Sequence, residues 1–91
     1  MNVVFHEDFY RVYASDPAAA AGRLEGVVAT IEPYVTFVQA EPASEIDIKA
    51  VHTDRHVQHV RDIGLYQTAA LAAGGAIQTA SCGLDQPAFG L

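Results

Sequence analysis

The hydrophobic and polar positions divide the chain into short β-type runs and longer helical ones. Val3-Val4-Phe5 is a run of β-formers close to the N-terminus and reads as a buried strand that needs neighbours. The following stretch, HEDFYRVYASDPAAAAG, mixes aromatics, acids, a proline and small residues without clean periodicity, and reads as a long loop. In RLEGVVATIE, Leu24, Val27, Val28 and Ile31 recur at i, i+3, i+4 and i+7, the stripe of an amphipathic helix, which Pro33 ends. VTFVQA at 35–40 is the second predicted strand. Ser44 followed by Asp47 is a helix-start signal for a short helix over 45–51, and Thr53 followed by Asp54 starts another, DRHVQHVRDI, which Gly64 ends. LYQTAALAAGGAIQTASCG is the longest helical pattern; its apolar residues run nearly all the way round, which predicts burial on more than one side. The adjacent Gly74 and Gly75 cost about 1 kcal/mol each in a helix and imply close packing against another element. PAFGL begins a third strand. The order β, α, β, α, α, α, β predicts a single α/β domain over 1–91, a small three-layer type with two or three short parallel strands and about four helices.

Composition adds a constraint. Hydrophobic residues make up 51 %, high for a chain of 91 residues with so much surface per volume, and predict apolar surface that a partner or further sequence covers. The net charge is −6, and the five basic residues, Arg11, Arg23, Lys49, Arg55 and Arg61, form no stripe, which disfavours nucleic acid and anionic membranes as partners. The single cysteine, Cys82, permits neither an internal disulfide nor a cysteine-rich zinc module and fits a reducing compartment. The N-terminus lacks the pattern of a signal peptide, and the longest apolar run, AALAAGGAI, is too short to span a membrane, so a cytoplasmic location is expected.

AVHTDRHVQHV holds three of the four histidines. His52 and His56 stand one helical turn apart, but the first histidine is not followed by the glutamate of the metalloprotease helix motif, and Thr53 as a cap places His52 ahead of the helix. His56 and His59 share a face at i, i+3 and need further ligands; a twofold axis would supply four imidazoles from two subunits. Against this stands the plainer reading of one buried, hydrogen-bonded histidine and two surface ones. Asp54 and Asp62 read as solvated acids, and Cys82 as a buried, inert thiol. Arg23 enters the first helix from the long loop. It is either an exposed first-turn residue or one that reaches back to loop carbonyls or an anion.

Three blocks in order, GRLEGVV, ASEIDIKAVHTDRHVQHV and AALAAGGAIQTASCGLDQPAFGL, resemble the N-terminal part of the zinc-dependent histone deacetylase family, which includes the acetylpolyamine amidohydrolases and acetoin-utilisation proteins. The resemblance runs over nearly the whole chain and implies the arginase/deacetylase-like fold. It also implies that the histidine block is structural. In that family the zinc ligands, the paired catalytic histidines and the catalytic tyrosine follow the segment matching PAFGL, and no position here corresponds to any of them. The expected chain is therefore a truncated, deacetylase-like protein without catalysis of its own and without zinc. Arg23 matches a family arginine that lines a cavity beneath the active site, thought to accept released acetate, and residues 10–21 match a rim-shaping loop. Asp16-Pro17 stands where many members carry His-Pro, which puts a rim contact there in question. Uncovered edges and faces would make the chain a homodimer or higher oligomer, or the complement of a further deacetylase fragment.

Overall fold

The computed structural model describes residues 1–91. Three parallel strands, β1 (Asn2–Phe5), β2 (Thr36–Gln39) and β3 (Ala88–Gly90), form one sheet in the order β2-β1-β3. Val3 pairs with Phe37 on one side and Phe89 on the other; Val4 pairs with Val38 and Gly90. The ladder extends past the strands, since Ala40 N–H donates to Phe5 C=O and Leu91 N–H to Val4 C=O. Paired residues share a face, so Val3, Phe37 and Phe89 line one side and Val4, Val38 and Gly90 the other. The connection from β1 runs to one edge and the connection from β2 crosses back to the opposite edge. Right-handed crossovers in these two directions put their helices on opposite faces of the sheet.

Four α-helices fill the connections: α1 (Arg23–Ile31), α2 (Glu45–Lys49), α3 (Asp54–Asp62) and α4 (Tyr66–Gly83). Local chemistry fixes their ends. The Ser44 hydroxyl accepts from Asp47 N–H and the Thr53 hydroxyl from His56 N–H, both at 3.1 Å. After α3 the chain closes a Schellman turn: Leu65 N–H donates to Val60 C=O and Gly64 N–H to Arg61 C=O. That geometry needs a left-handed residue, and Gly64 supplies it at φ 76°. The expected long loop contains two 3-10 turns, Glu7–Tyr10 and Pro17–Ala19, and Pro33 lies in a third, Glu32–Tyr34, that continues from α1.

What joins sheet and helices is a close approach at the middle of α4. A Cβ on Gly74 would overlap the Glu41 carbonyl oxygen and lie 2.6 Å from Ala43 N, and one on Gly75 would lie 3.5 Å from Ala40 Cβ and 3.6 Å from Val4 Cγ1. Into that gap comes the strand exit 39–43. Ala43 N–H donates to Ala70 C=O at 2.8 Å, sharing an acceptor of the helical ladder. The Gln78 side chain spans the same segment: its Oε1 accepts from Glu41 N–H at 2.7 Å and its Nε2 donates to Gln39 C=O at 3.1 Å. One side-chain amide thus satisfies a donor and an acceptor that β2 leaves open as it ends.

The core is a seam rather than a shell: eight residues are buried, among them Val3, Val4, Ala40, Val57, Ala70 and Leu71. On α4 the buried positions are Ala70, Leu71, Gly74 and Gly75. The helix is therefore covered along one side, not on more than one side as its all-round apolarity suggests. Alanine is small enough to sit exposed at little cost, so its apolarity does not report a second buried face. The stripe of α1 is likewise incompletely covered, with Leu24, Val28 and Ile31 half-buried and Val27 exposed.

Replacing Gly74 by alanine improves helix propensity but forces a methyl group into backbone atoms. Gly74→Ala is expected to lose about 2 kcal/mol or more in urea denaturation. Gly26→Ala, where nothing lies within 4 Å, is expected to gain about 0.5–1 kcal/mol. Equal effects at the two positions would contradict the close approach.

Candidate functional site

In open α/β sheets the crevice for ligands lies beyond the carboxyl ends of the strands, where the connections part to opposite sides. Here that place is above β1 and β3. A cavity of about 190 Å³ opens there, lined by Phe9, Tyr10, Arg23, Leu24, Ala72 and Leu91, beside a hollow of about 220 Å³ bounded by Val4, Gly75, Gly90 and Leu91. The residues after β1 are bent over the crevice by local bonds. His6 Nδ1 accepts from Asp8 N–H at 3.0 Å and starts the first 3-10 turn, which folds Phe9 and Tyr10 back onto Phe5 with ring centroids 6.0 and 5.1 Å away. Asp16 Oδ1 accepts from Ala18 N–H at 2.8 Å, with Pro17 at the first position of the second turn. Asp16-Pro17 is thus a cap followed by a pre-set φ, a local structural use of the pair.

Arg23 is the first residue of α1 and its Nε donates to Ala18 C=O at 2.8 Å. Both sequence readings of it meet here, for it is a solvent-exposed first-turn residue that reaches back to a loop carbonyl and also lines the crevice. Arg11, on the same crevice, donates from Nη1 to Gly64 C=O at 3.2 Å. Two of the five cations therefore stand beside one small cavity. The Glu25 carboxylate lines the same cavity, and both guanidiniums are already engaged with backbone carbonyls.

A second concavity, about 370 Å³, lies between α2, α3 and α4. Its walls are mainly aliphatic, with Ile48, Val51, Val60 and Ile77 across from one another and His52 and His56 at the rim. The three helices around it are tied by ions. Arg61 Nη2 donates to Glu45 Oε1, Lys49 Nζ lies 3.6 Å from Glu45 and 3.5 Å from Asp54, and the Arg61 guanidinium sits 4.4 Å over the Tyr66 ring. The Arg61 hydrogen bond, and then the Lys49 charge, hold the Glu45 carboxyl below its ordinary value of 4.5. The hydrogen bond to Glu45, and then that to Tyr66, raise the Arg61 guanidinium further above its ordinary value. The charged groups of this network are solvent-exposed, so it sets the relative position of the helices more than it adds stability.

All three histidines of the block are exposed, so none is the buried one expected there; α3 turns Val57 inward instead. His52 lies ahead of α3, as Thr53 capping implies, yet its ring packs 4.9 Å from that of His56; this pair, and not His56 with His59, is brought together. No three or more His, Cys, Asp or Glu side chains gather in a way that could hold a metal ion. Asp62 accepts from Gln58 Nε2 at 2.9 Å and Asp54 faces Lys49, both on the surface. Cys82 is half-buried. The Gln78 clamp and the Arg61–Tyr66 stack have no signal in the sequence, because each joins residues whose meeting depends on the tertiary arrangement. No helix is long and apolar enough to cross a membrane. Comparisons with protein-family models, with curated proteins and with solved structures find no match.

The small contribution of the solvent-screened Glu45 network is complete above pH 4.5 and lost as the pH falls through the lowered value. Glu45→Gln is therefore expected to lower the urea midpoint at neutral pH, with the difference from the parent chain shrinking as acid is added below pH 4.5. A difference that stays constant through that range would remove the network.

Proposed function

We propose that this chain is a deacetylase-like, acetylpolyamine amidohydrolase-like α/β unit of the arginase/deacetylase three-layer type, non-catalytic by itself, that works as a self-associating module of the cytoplasm. The sequence blocks behind the deacetylase resemblance fall on coherent elements: the first opens α1, the second covers α2 and much of α3, and the third covers most of α4 and ends on β3. Metal-assisted amide hydrolysis needs a Lewis acid, an activated water and a group that stabilises the oxyanion. The side chains of residues 1–91 assemble no donor set for the first of these. What the chain offers is a crevice with Arg23 at its wall and a large amount of uncovered apolar surface.

The observation that carries the reading is the outer strand. Parallel sheets are normally covered on both faces and continued or shielded at their edges. Here β3 is an edge strand, and Phe89, at its centre, is 56 % exposed. A sheet in this state gains stability from association. A second copy is the expected partner, and a complementing deacetylase fragment is the alternative.

Native mass spectrometry on untagged protein with zinc supplied, together with an assay on an acetylated amine, tests the reading. An oligomer without stoichiometric zinc and without hydrolysis is expected. A zinc-bound species that hydrolyses the amide would overturn it, and a stable monomer would leave only the complementing-fragment alternative.

A further inference from the structure

We propose that β3 is the contact strand of a twofold dimer: it pairs antiparallel with β3 of a second copy about an axis through Phe89, so that the two sheets become one continuous sheet. The inference rests on the self-association reading above and adds the strand, the direction and the register of the contact.

Backbone polarity selects the edge. Both β2 and β3 are edge strands. On β2, Thr36 N–H donates to Met1 C=O and Ala40 N–H to Phe5 C=O, so by the two-residue alternation Phe37 and Gln39 turn their N–H and C=O groups outward. Gln78 of α4 already takes the Gln39 C=O, and the chain beyond it is bound to α4 through Glu41 and Ala43. The protein thus closes part of that edge itself. On β3, Leu91 N–H donates to Val4 C=O, so Leu91 and Phe89 face β1 while Ala88 and Gly90 face outward. No group of the chain bonds the outward N–H and C=O of these two residues.

Register follows from the same alternation. Ala88 and Gly90 flank Phe89, so a twofold axis there sets Ala88 opposite the partner's Gly90, and Gly90 opposite the partner's Ala88. Each such pair exchanges both N–H···O=C bonds, and every outward group of both strands is satisfied. The two copies of Phe89 fall in the close position that makes no hydrogen bonds, with Cα atoms about 4.5 Å apart. Their rings meet on one face as a cross-strand aromatic pair, which covers a side chain 56 % exposed in the single chain.

Charge and the helix layer fit the same axis. Two copies of a chain of net charge −6 repel where acid meets acid, yet residues 63–91 carry no charged side chain except Asp85, which the antiparallel direction places at opposite ends of the paired strands. α4 lies over β1 and β3, with Gly75 against Val4 and Thr79 against Gly90. Strands stand about 4.8 Å apart, so a helix over the gap between β1 and β3 stands about 5 Å from the axis and about 10 Å from its mate, the spacing at which helices pack. The flank of α4 beside β3 carries Ala72, Ala76 and Thr79, small enough for that approach.

The test is sedimentation equilibrium on the parent chain, on Ala88→Pro and on Gln39→Pro, with circular dichroism to confirm that each variant is folded. Each proline removes an outward N–H and leaves the ladder to β1 intact, because neither residue donates to β1. The inference expects a dimer for the parent chain, a dimer at least roughly tenfold weaker for Ala88→Pro, which loses one bond at each symmetric position, and an unchanged dimer for Gln39→Pro. Register is read separately: Phe89→Cys with Cys82→Ser, at a concentration where the variant is dimeric, is expected to form a disulfide between copies on mild oxidation, since Cα atoms about 4.5 Å apart are within its reach. A parent dimer that Ala88→Pro leaves unchanged, or that Gln39→Pro dissociates, would overturn the β3 assignment and leave self-association standing through another surface. Failure of the disulfide to form would overturn the register. A parent chain that is monomeric at micromolar concentration would overturn both the inference and the self-association reading.

Discussion

The arrangement depends on one close approach, that of the backbone at 40–43 to Gly74 and Gly75 of α4. A side chain at Gly74 would hold the helix away from this segment, whereas a methyl group at Gly75 would meet Ala40 and Val4 at ordinary contact distance. With glycine at 74, α4 comes down on Val4 and Ala40, Ala43 bonds to the helix backbone, and Gln78 spans Gln39 and Glu41. This contact fixes the height of α4 above β1 and the direction in which the chain leaves β2. It therefore also sets where α2 and α3 stand, and with them the walls of the apolar groove. Gly90 repeats the device on the neighbouring strand, where a Cβ would lie 2.7 Å from Thr79 Oγ1.

A seam this narrow has consequences for energetics. Burying an aliphatic side chain contributes about 1.5–3 kcal/mol, and only Val3, Val4 and Leu71 among the larger side chains are fully withdrawn from water. Val27, Val51, Ile46, Ile77 and Phe89 remain substantially exposed, so the chain holds a reserve of apolar surface that has not been used. The high hydrophobic content and the open architecture are two descriptions of that reserve.

Features decided within one helical turn were legible in the sequence. Ser44, Thr53 and Gly64 cap where their residue types suggest, and the three β-type runs become three strands, because these outcomes depend on neighbours a few residues away. The Gly74–Gly75 pair announced a close contact but not its partner, which lies more than thirty residues earlier in the chain. The two faces of α4 could not be told apart, since alanine carries almost no positional information. The histidines show the limit most plainly. Helical spacing joins His56 to His59, yet the extended Thr53 cap lets His52 turn toward His56 from outside the helix. The crevice at Arg23 needs the strand order before it has a location, although the arginine's choice of a loop carbonyl was among the readings its position allowed.

The most direct measurement of the central claim, that this fold is completed by association, is the thermal midpoint as a function of protein concentration. A chain stabilised by binding its own copy unfolds at a temperature that rises with concentration, by mass action. The account predicts a steady rise in Tm over about a hundredfold range of concentration, because dimer stability follows the logarithm of protomer concentration. A midpoint independent of concentration, with a cooperative transition throughout, would show that the narrow seam is sufficient by itself and would contradict the account.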